Sequence, residues 1–343
     1  MVLSFTRLPS RFACGFAAWL ALVQPGAADE AADFYSGRTI NLIEGFNVGG
    51  GADLYARTIA RHLGQHIAGH PTIVVHNMPG AGSMAAANHV FNVSPRDGTE
   101  IGFFAGNIAV DPVIGGVPSQ YDSRKFNWIG APAAESSVCI AAKATSFKTF
   151  DDVLAREMVT GAAGTSTYDF PIVLNSLVGA KFKLVKGYNG SSALRLALER
   201  GEIEGFCGVG LASLRSQGLT DDKINILVQT SLKGDPQLVK VPIIIDYAKS
   251  EEDRQVMRLV FGWLVMDRPM AAPPETPQAR VEALRDGFDE TMRDPQFRAD
   301  IDKASLSYSP MSGRDIASFV DTIYLTPPAV AKRAAQLLSR TTP

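Results

Sequence analysis

The stretch Thr39-Ile-Asn-Leu-Ile-Glu-Gly-Phe-Asn-Val-Gly-Gly-Gly-Ala-Asp53 decides the fold class. Its first five residues form a short apolar run of strand type. The glycine loop then hands over to Tyr55, Ile59, Leu63 and Ile67, whose four-residue spacing marks one face of a helix. Gly69 and Pro71 end that helix, and residues 72–75 begin a second strand. Working outward, Asn77-Met-Pro-Gly-Ala-Gly-Ser83 turns into a helix through Val90, and 101–104 is a third strand. The middle of the chain repeats the theme, with strands at 138–141, 157–160, 184–186, 203–206 and 224–228. Thr149 and Asp152 carry the spacing of a helix capping box, and Pro171 is expected in the first turn of its helix. Prolines at 269, 273, 274 and 277 make 267–277 an extended connector, and helices resume at 279–292, after Ser312 and after Pro328. Strands alternating with helices imply an α/β protein of two lobes, with mostly parallel sheets covered by helices on both faces.

Composition narrows the function classes. The chain has 343 residues, 33 basic and 35 acidic, for a net charge of −2. That length usually divides into two cores, and the charge excludes a strongly cationic nucleic-acid binder. Arg7 and Arg11 precede an apolar run at 12–23, followed by small residues at 26 and 28. This pattern reads as a secretory signal peptide over 1–28, cleaved near Ala28. The run is too short for a membrane span of about 20 residues, so no membrane insertion is expected after cleavage. The exported chain carries net −4 and two cysteines, Cys139 and Cys207. In an oxidising compartment these either pair or remain as buried free thiols, and the sequence leaves both open.

Glycine-rich turns recur wherever a strand hands over to a helix: 45–51, 80–83, 105–107, 164–168 and 190–192. The first lacks both G-x-G-x-x-G and the lysine of a P-loop, so a nucleotide site is not indicated. What such turns share is a row of exposed backbone N–H groups at a helix start, which binds anions without a lysine or arginine. Turns at the carboxyl ends of strands lie on one rim, so five of them, three in one half and two in the other, can face one cleft. Asp53 reads as the residue that caps its helix and fixes the loop. All five histidines fall between 62 and 89. His62 and His66 share a helix face, yet surface pairing at a helix end fits them better than a metal. Glu202 and Glu204 fall on one face of a strand, and no nucleophile elbow or catalytic constellation is visible.

The strings Gly45-Phe-Asn-Val-Gly-Gly-Gly-Ala-Asp53, Asn77-Met-Pro-Gly-Ala-Gly82 and Pro95-Arg-Asp-Gly-Thr99 carry a family resemblance. So do Gly164-Thr-Ser-Thr-Tyr168, Gly187-Tyr-Asn-Gly190, Leu198-Glu-Arg-Gly-Glu-Ile-Glu-Gly205 and Ala272-Pro-Pro274. In this order and spacing the chain from Tyr35 onward resembles the TctC-like substrate-binding proteins of tripartite tricarboxylate transporters, the Bordetella uptake gene (Bug) family. The resemblance implies a two-lobed periplasmic-binding fold of type II-like form that closes on a small carboxylate. It implies lobe one at 35–138 plus 256–300, and lobe two at 139–255 plus 301–343. Carried over by position, the binding residues are Phe46, Asn47, Val48, Gly49, Gly50 and Asp53, with Gly82, Ser83, Gly106 and Asn107. From the second lobe come Gly164, Thr165, Ser166, Thr167, Tyr168, Tyr188, Asn189 and Ser191. The implied protein is a periplasmic monomer without cofactor or metal, and not an enzyme, whose partners are a carboxylate and the large and small membrane subunits of a transporter. A signalling receptor and a secreted hydrolase are the alternatives. Ala52, where the family carries a bulkier residue, and Phe206, where a related subgroup carries arginine, are departures that bear on the ligand.

Overall fold

The structure is a computed structural model that describes residues 1–2, 27–115, 119–134 and 136–338. The expected signal peptide therefore lies almost wholly outside the described residues. The first half runs α1 (Ala27–Tyr35), β1 (Thr39–Glu44), α2 (Gly51–His66), β2 (Thr72–Asn77), α3 (Met84–Asn92), β3 (Glu100–Phe103), α4 (Asp111–Ile114) and β4 (Asn127–Ala131). The middle contains β5 (Ser137–Ala142), α5 (Phe150–Ala155), β6 (Met158–Gly161), α6 (Thr165–Val178), β7 (Phe182–Val185), α7 (Gly190–Glu199), β8 (Gly205–Gly210), α8 (Leu211–Ser216), β9 (Ile224–Gln229) and α9 (Glu251–Phe261). The chain ends with β10 (Met270–Ala272), α10 (Gln278–Arg293), α11 (Pro295–Lys303), β11 (Met311–Ser312), α12 (Gly313–Tyr324) and α13 (Pro328–Leu338).

The strands form two sheets, ordered β11-β4-β10-β3-β1-β2 and β7-β6-β8-β5-β9. β1 pairs parallel with β2 and β3, and β6 pairs parallel with β7 and β8. β10 and β5, however, run antiparallel to both of their neighbours. The sheets are thus mixed rather than mostly parallel. β5 follows β4 of the other sheet without an intervening helix, and β10 returns from the other sheet after α9, so neither is tied to its neighbours by a crossover within its own sheet. The two crossing segments lie side by side, bridged between Ala133 and Asp267, whose N–H donates to the Ala133 carbonyl (2.7 Å).

The 267–277 stretch is more than a connector, because Met270–Ala272 is an interior strand of the first sheet. Pro269 and Pro273 bound it without interrupting it, and the Pro269 carbonyl accepts from Phe104 N–H (3.0 Å). The division implied at 301 is also corrected. β11 pairs with β4 and α12 packs on that strand, so these residues go with the first sheet. α13 packs on α4, α6 and α9. Pro171 stands inside α6 rather than in its first turn, whereas the Thr149–Asp152 capping box is formed as expected.

Burial follows the sequence periodicity. Tyr55, Ile59 and Leu63 of α2 and Leu284 and Phe288 of α10 cover one face of the first sheet with Ile40, Leu42 and Phe103. Leu194 and Leu198 of α7 do the same for Ile140 and Phe206 of the second sheet. A third core joins the halves, uniting Phe104 and Trp128 with Phe170, Val173, Phe261 and Val330. Each fully buried side chain of this size contributes about 1.5–3 kcal/mol, and the shared core ties both halves to the C-terminal helices. Cys139 and Cys207 meet where the β5–β8 register shifts, and they are disulfide-bonded and fully buried.

Candidate functional site

A cleft of about 540 Å³ opens between the two sheets, and all five glycine-rich turns contribute to its wall. From the first half come Gly45, Phe46, Asn47 and Gly50 to Ala52, then Pro79 to Gly82, then Ala105 and Asn107. From the second come Ala163 to Thr167, Gly190, Ser191 and, unforeseen in the sequence, Ser137, Gly208 to Gly210 and Ser213. Trp263, Leu264, Asp267 and Arg268 close the side where the chain crosses between sheets. The wall includes the first residues of α2, α6 and α7, so three helix N-termini place orphan N–H groups and positive dipole ends around one volume.

Behind the first loop stands a charged support. Asp53 accepts from Gly49 N–H (3.0 Å), from Arg57 Nε (3.0 Å) and Nη2 (2.8 Å), and from Asn77 Nδ2 (2.9 Å). Asn77 Nδ2 also reaches Glu44 Oε2 (2.7 Å) and the Phe46 carbonyl (3.2 Å). Burial pushes the Glu44 carboxyl up to about 8, and the neighbouring Asp53 adds to that rise. Asp53 moves the other way. Burial opposes its charge, but the hydrogen bonds from Arg57, Gly49 and Asn77 outweigh it and hold the carboxyl well below the usual range. Asp53 is therefore a buried brace that fixes the loop, and it does not line the cleft.

The neighbouring turn is bent more sharply. Gly80, Ala81, Gly82 and Ser83 all have positive φ (151°, 45°, 63° and 73°), an arrangement that costs roughly 1–2 kcal/mol for each residue bearing a Cβ. Ser83 offsets it by a double tether: its hydroxyl donates to the Gly45 carbonyl (3.1 Å) and accepts from Ala105 N–H (3.0 Å). Ser83 is thus a buried support. Gly82 approaches the other half closely, since a Cβ there would lie 2.5 Å from Thr165 Oγ1. Asn107 Nδ2 donates to the Gly82 carbonyl (3.3 Å) and to Asp111 (2.7 Å).

The second-half wall is held by hydroxyls. Thr167 Oγ1 accepts from Ala163 N–H (2.8 Å) and donates to the Gly164 carbonyl (3.0 Å). Ser166 Oγ donates to the Gly208 carbonyl (2.8 Å). Gly208 has φ +75°, and a Cβ there would stand 2.5 Å from the Ser166 carbonyl, so the strand approach requires glycine. The disulfide at Cys207 lies directly behind this bulge. Ser137 Oγ, also in the wall, is buried without a hydrogen-bond partner among the described residues.

Other residues named from the sequence fall elsewhere. Val48 is 72% exposed, and neither it nor Gly49 lines the cleft. Gly106 packs against Trp263. Tyr168 and Tyr188 line an adjoining hollow of about 370 Å³, which shares Ala163, Gly164 and Thr165 with the cleft and lies beside Lys186, whose Nζ donates to the Tyr168 hydroxyl (2.9 Å). Asn189 precedes α7 and lines neither. Ser191 does line the cleft and accepts from Gln217 Nε2 (3.1 Å). His62 is buried rather than on the surface, 3.0 Å from Asp300, and His66 meets Asp294 (3.0 Å). Among the described residues no group of three metal-ligating side chains occurs. Glu204 precedes β8 and accepts from Val159 N–H (2.8 Å), so the two glutamates do not form a paired strand face.

No family model matches the sequence, and no curated protein matches it. Solved structures do. A TctC solute-binding protein from Polaromonas superposes with a TM-score of 0.65 at 18% identity, covering 88% of this chain and 99% of its own. The periplasmic binding protein BugD gives 0.67 at 19%, covering 88% and 98%. A Rhodopseudomonas palustris protein, Rpa4515, solved with adipate, gives 0.65 at 19%, covering 88% and 97%. The chain has the fold of the TctC and Bug periplasmic binding proteins. In this TctC/Bug fold the cleft between the sheets is built from the turns already described, and the crossing segments bridged at Ala133 and Asp267 lie along one side of it. The fold, rather than any side chain, is what the comparison establishes. Asp267 and Arg268, which no glycine motif announces, are the charged residues of the wall that sequence reasoning missed, beside Ser137, Gly208 to Gly210, Ser213, Trp263 and Leu264.

Proposed function

We propose that this chain is an extracytoplasmic solute receptor, not an enzyme, that closes on a small carboxylate and delivers it to the membrane subunits, large and small, of a tripartite tricarboxylate-type transporter. One observation carries the reading. Three helix N-termini from both halves bound a single cavity whose described wall is otherwise rich in glycine, alanine, serine, threonine and asparagine. Such a wall solvates an anion with fixed N–H dipoles and hydroxyls, which cost no reorganisation on binding. Rpa4515, the structural neighbour solved with adipate, supports the ligand class. The bridged crossing segments supply a hinge, and a ligand drives closure by its higher affinity for the closed form. The reading includes export, cleavage near Ala28 and action as a monomer in the periplasm. Glycine-loop atoms, Thr165, Ser166, Thr167 and Asn107 are the proposed contacts, with Asn47 and Ser191 at the edges.

A thermal-shift screen of carboxylates on the exported protein tests it. A ligand present at 100 times its Kd stabilises the folded state by about 2.7 kcal/mol, a shift that such a screen resolves. Mass spectrometry of the protein purified from its own periplasm then identifies the acid it carries. A folded protein that responds to no mono-, di- or tricarboxylate would end this reading.

A further inference from the structure

Asp267 and Arg268 are the two charged side chains among the described residues of the cleft wall, and they are ion-paired with each other. They sit on the hinge, at the Ala133–Asp267 bridge. Arg268 has φ +58°, a left-handed conformation that is unfavourable for any residue with a Cβ. It also precedes Pro269, and a following proline biases a residue towards extended geometry. The backbone is therefore held against two local preferences at once. The guanidinium stacks over Tyr55 in the early turns of α2, its carbon 4.9 Å from the ring centroid, and is only 14% exposed. A stabilising ion pair alone needs no such backbone, since an arginine in ordinary geometry at the surface serves as well. Strain of this kind collects where a side chain has to be aimed. Arg268 lines the cleft beside Trp263, Leu264 and the start of α2, while its guanidinium lies over Tyr55.

We propose that Arg268 is the specificity-determining residue of the cleft, a hinge-mounted guanidinium that selects ligands with a second anionic group over monoanions of the same chain length. The inference rests on the carboxylate-receptor reading above and deepens it. One carboxylate sits on the loop N–H groups and hydroxyls at the start of α6, and the second meets Arg268 beside the start of α2. The carbon chain between them lies along Trp263 and Leu264. A guanidinium is suited to this because its planar fork grips a carboxylate bidentately and serves two acceptors together, here Asp267 and the ligand. Asp267, ion-paired with Arg268, helps to orient the cation while the cleft is empty.

Calorimetric titration of the purified exported protein with two matched pairs, succinate against butyrate and adipate against hexanoate, tests the assignment. The wild-type protein should prefer the diacid of at least one pair by about 10- to 100-fold, the size of a charge-assisted contact. Arg268→Gln should bring that ratio close to 1, and Arg268→Lys, which keeps the charge and loses the fork, should leave it several-fold reduced. Thermal melting confirms that each variant is folded, and if Arg268→Gln fails to fold, the ratio in Arg268→Lys decides. A folded variant with the wild-type ratio, or a wild-type protein that prefers the monoacids, overturns the role of Arg268 and leaves the receptor reading intact. Binding of none of the four acids to folded wild-type protein overturns both.

Discussion

The first-half wall of the cleft is held from behind by charge, and the second-half wall by hydroxyls and a disulfide. Behind 45–51 stand Glu44, Asp53, Arg57 and Asn77, linked by hydrogen bonds of 2.7–3.0 Å. Behind 163–167 and 208–210 stand Thr167, Ser166 and the Cys139–Cys207 bond. Both devices achieve one end, rigid backbone N–H groups at a helix start, without placing a cation in the loops themselves. They differ in what can loosen them. The first support depends on protonation, and the second on oxidation state. That contrast fits the proposed export to an oxidising space, where the disulfide persists and pH is the variable.

The largest effect expected is on the second wall. The disulfide closes a loop with a sequence separation of 68, for which chain entropy gives about 4 kcal/mol of stabilisation. Cys139→Ser/Cys207→Ser, or reduction, should lose that amount in urea denaturation and weaken ligand binding through Gly208. A loss below about 1 kcal/mol would mean that the hydroxyls alone hold this wall. On the first wall, Asp53→Ala removes the acceptor for Gly49, Arg57 and Asn77 together. Arg57 is 44% exposed and regains water, so the expected cost is about 2–3 kcal/mol. Carboxylate affinity should fall more steeply than stability, and Asp53→Asn should restore part of both. Where the walls approach each other, Gly82→Ala adds a Cβ 2.5 Å from Thr165 Oγ1 at φ +63°. Its backbone cost is about 1–2 kcal/mol, and small-angle scattering should show that the variant closes less fully on a bound carboxylate.

Much of this contrast is legible in the sequence. The strand–glycine–helix order places all five turns, and Tyr55, Ile59 and Leu63 lie in the core as their spacing requires. What periodicity does not encode is direction and crossing. A three-residue strand between prolines, Met270–Ala272, looks like a linker because its apolar content is short and its pairing partners are distant in the chain. Asp267 and Arg268 carry no sequence signal for the same reason: what brings them to the cleft wall is their position where the chain crosses between the sheets. The side chains named by position divide on reach. Thr165 and Ser166 begin α6 and face the cleft, whereas Tyr168, nearly a turn further along, lines the adjoining hollow with Thr165 and meets Lys186. Cys139 and Cys207 admit two readings in the sequence because strand pairing, not spacing, brings them together.

The smallest effect is a slope rather than a step, and it separates the two supports most cleanly. Folding raises the Glu44 carboxyl from 4.5 to about 8, chiefly by burial and next by Asp53. The folded state therefore binds this proton more tightly than the unfolded state does. The stability that Glu44 contributes is fully present below about 4.5 and is lost as the pH rises through about 8. Asp53 has the opposite sign. Its carboxyl is depressed on folding, so its contribution is present above 3.8 and is lost as the pH falls below that. Together they make the first wall firmest in mildly acidic solution. Glu44→Gln keeps an acceptor for Asn77 and cannot ionise. It should lie within about 1 kcal/mol of wild type at pH 5, become the more stable form at pH 8, and flatten the loss of carboxylate affinity between them. Reducing the disulfide should shift both pH curves downward without changing their shape, because the second wall is held by hydroxyls that do not titrate in this range. Denaturation midpoints at pH 5, 6.5 and 8 for the wild type, Glu44→Gln and the reduced protein decide the matter. A Glu44→Gln curve parallel to that of wild type would show that the first wall is not held by a protonated Glu44.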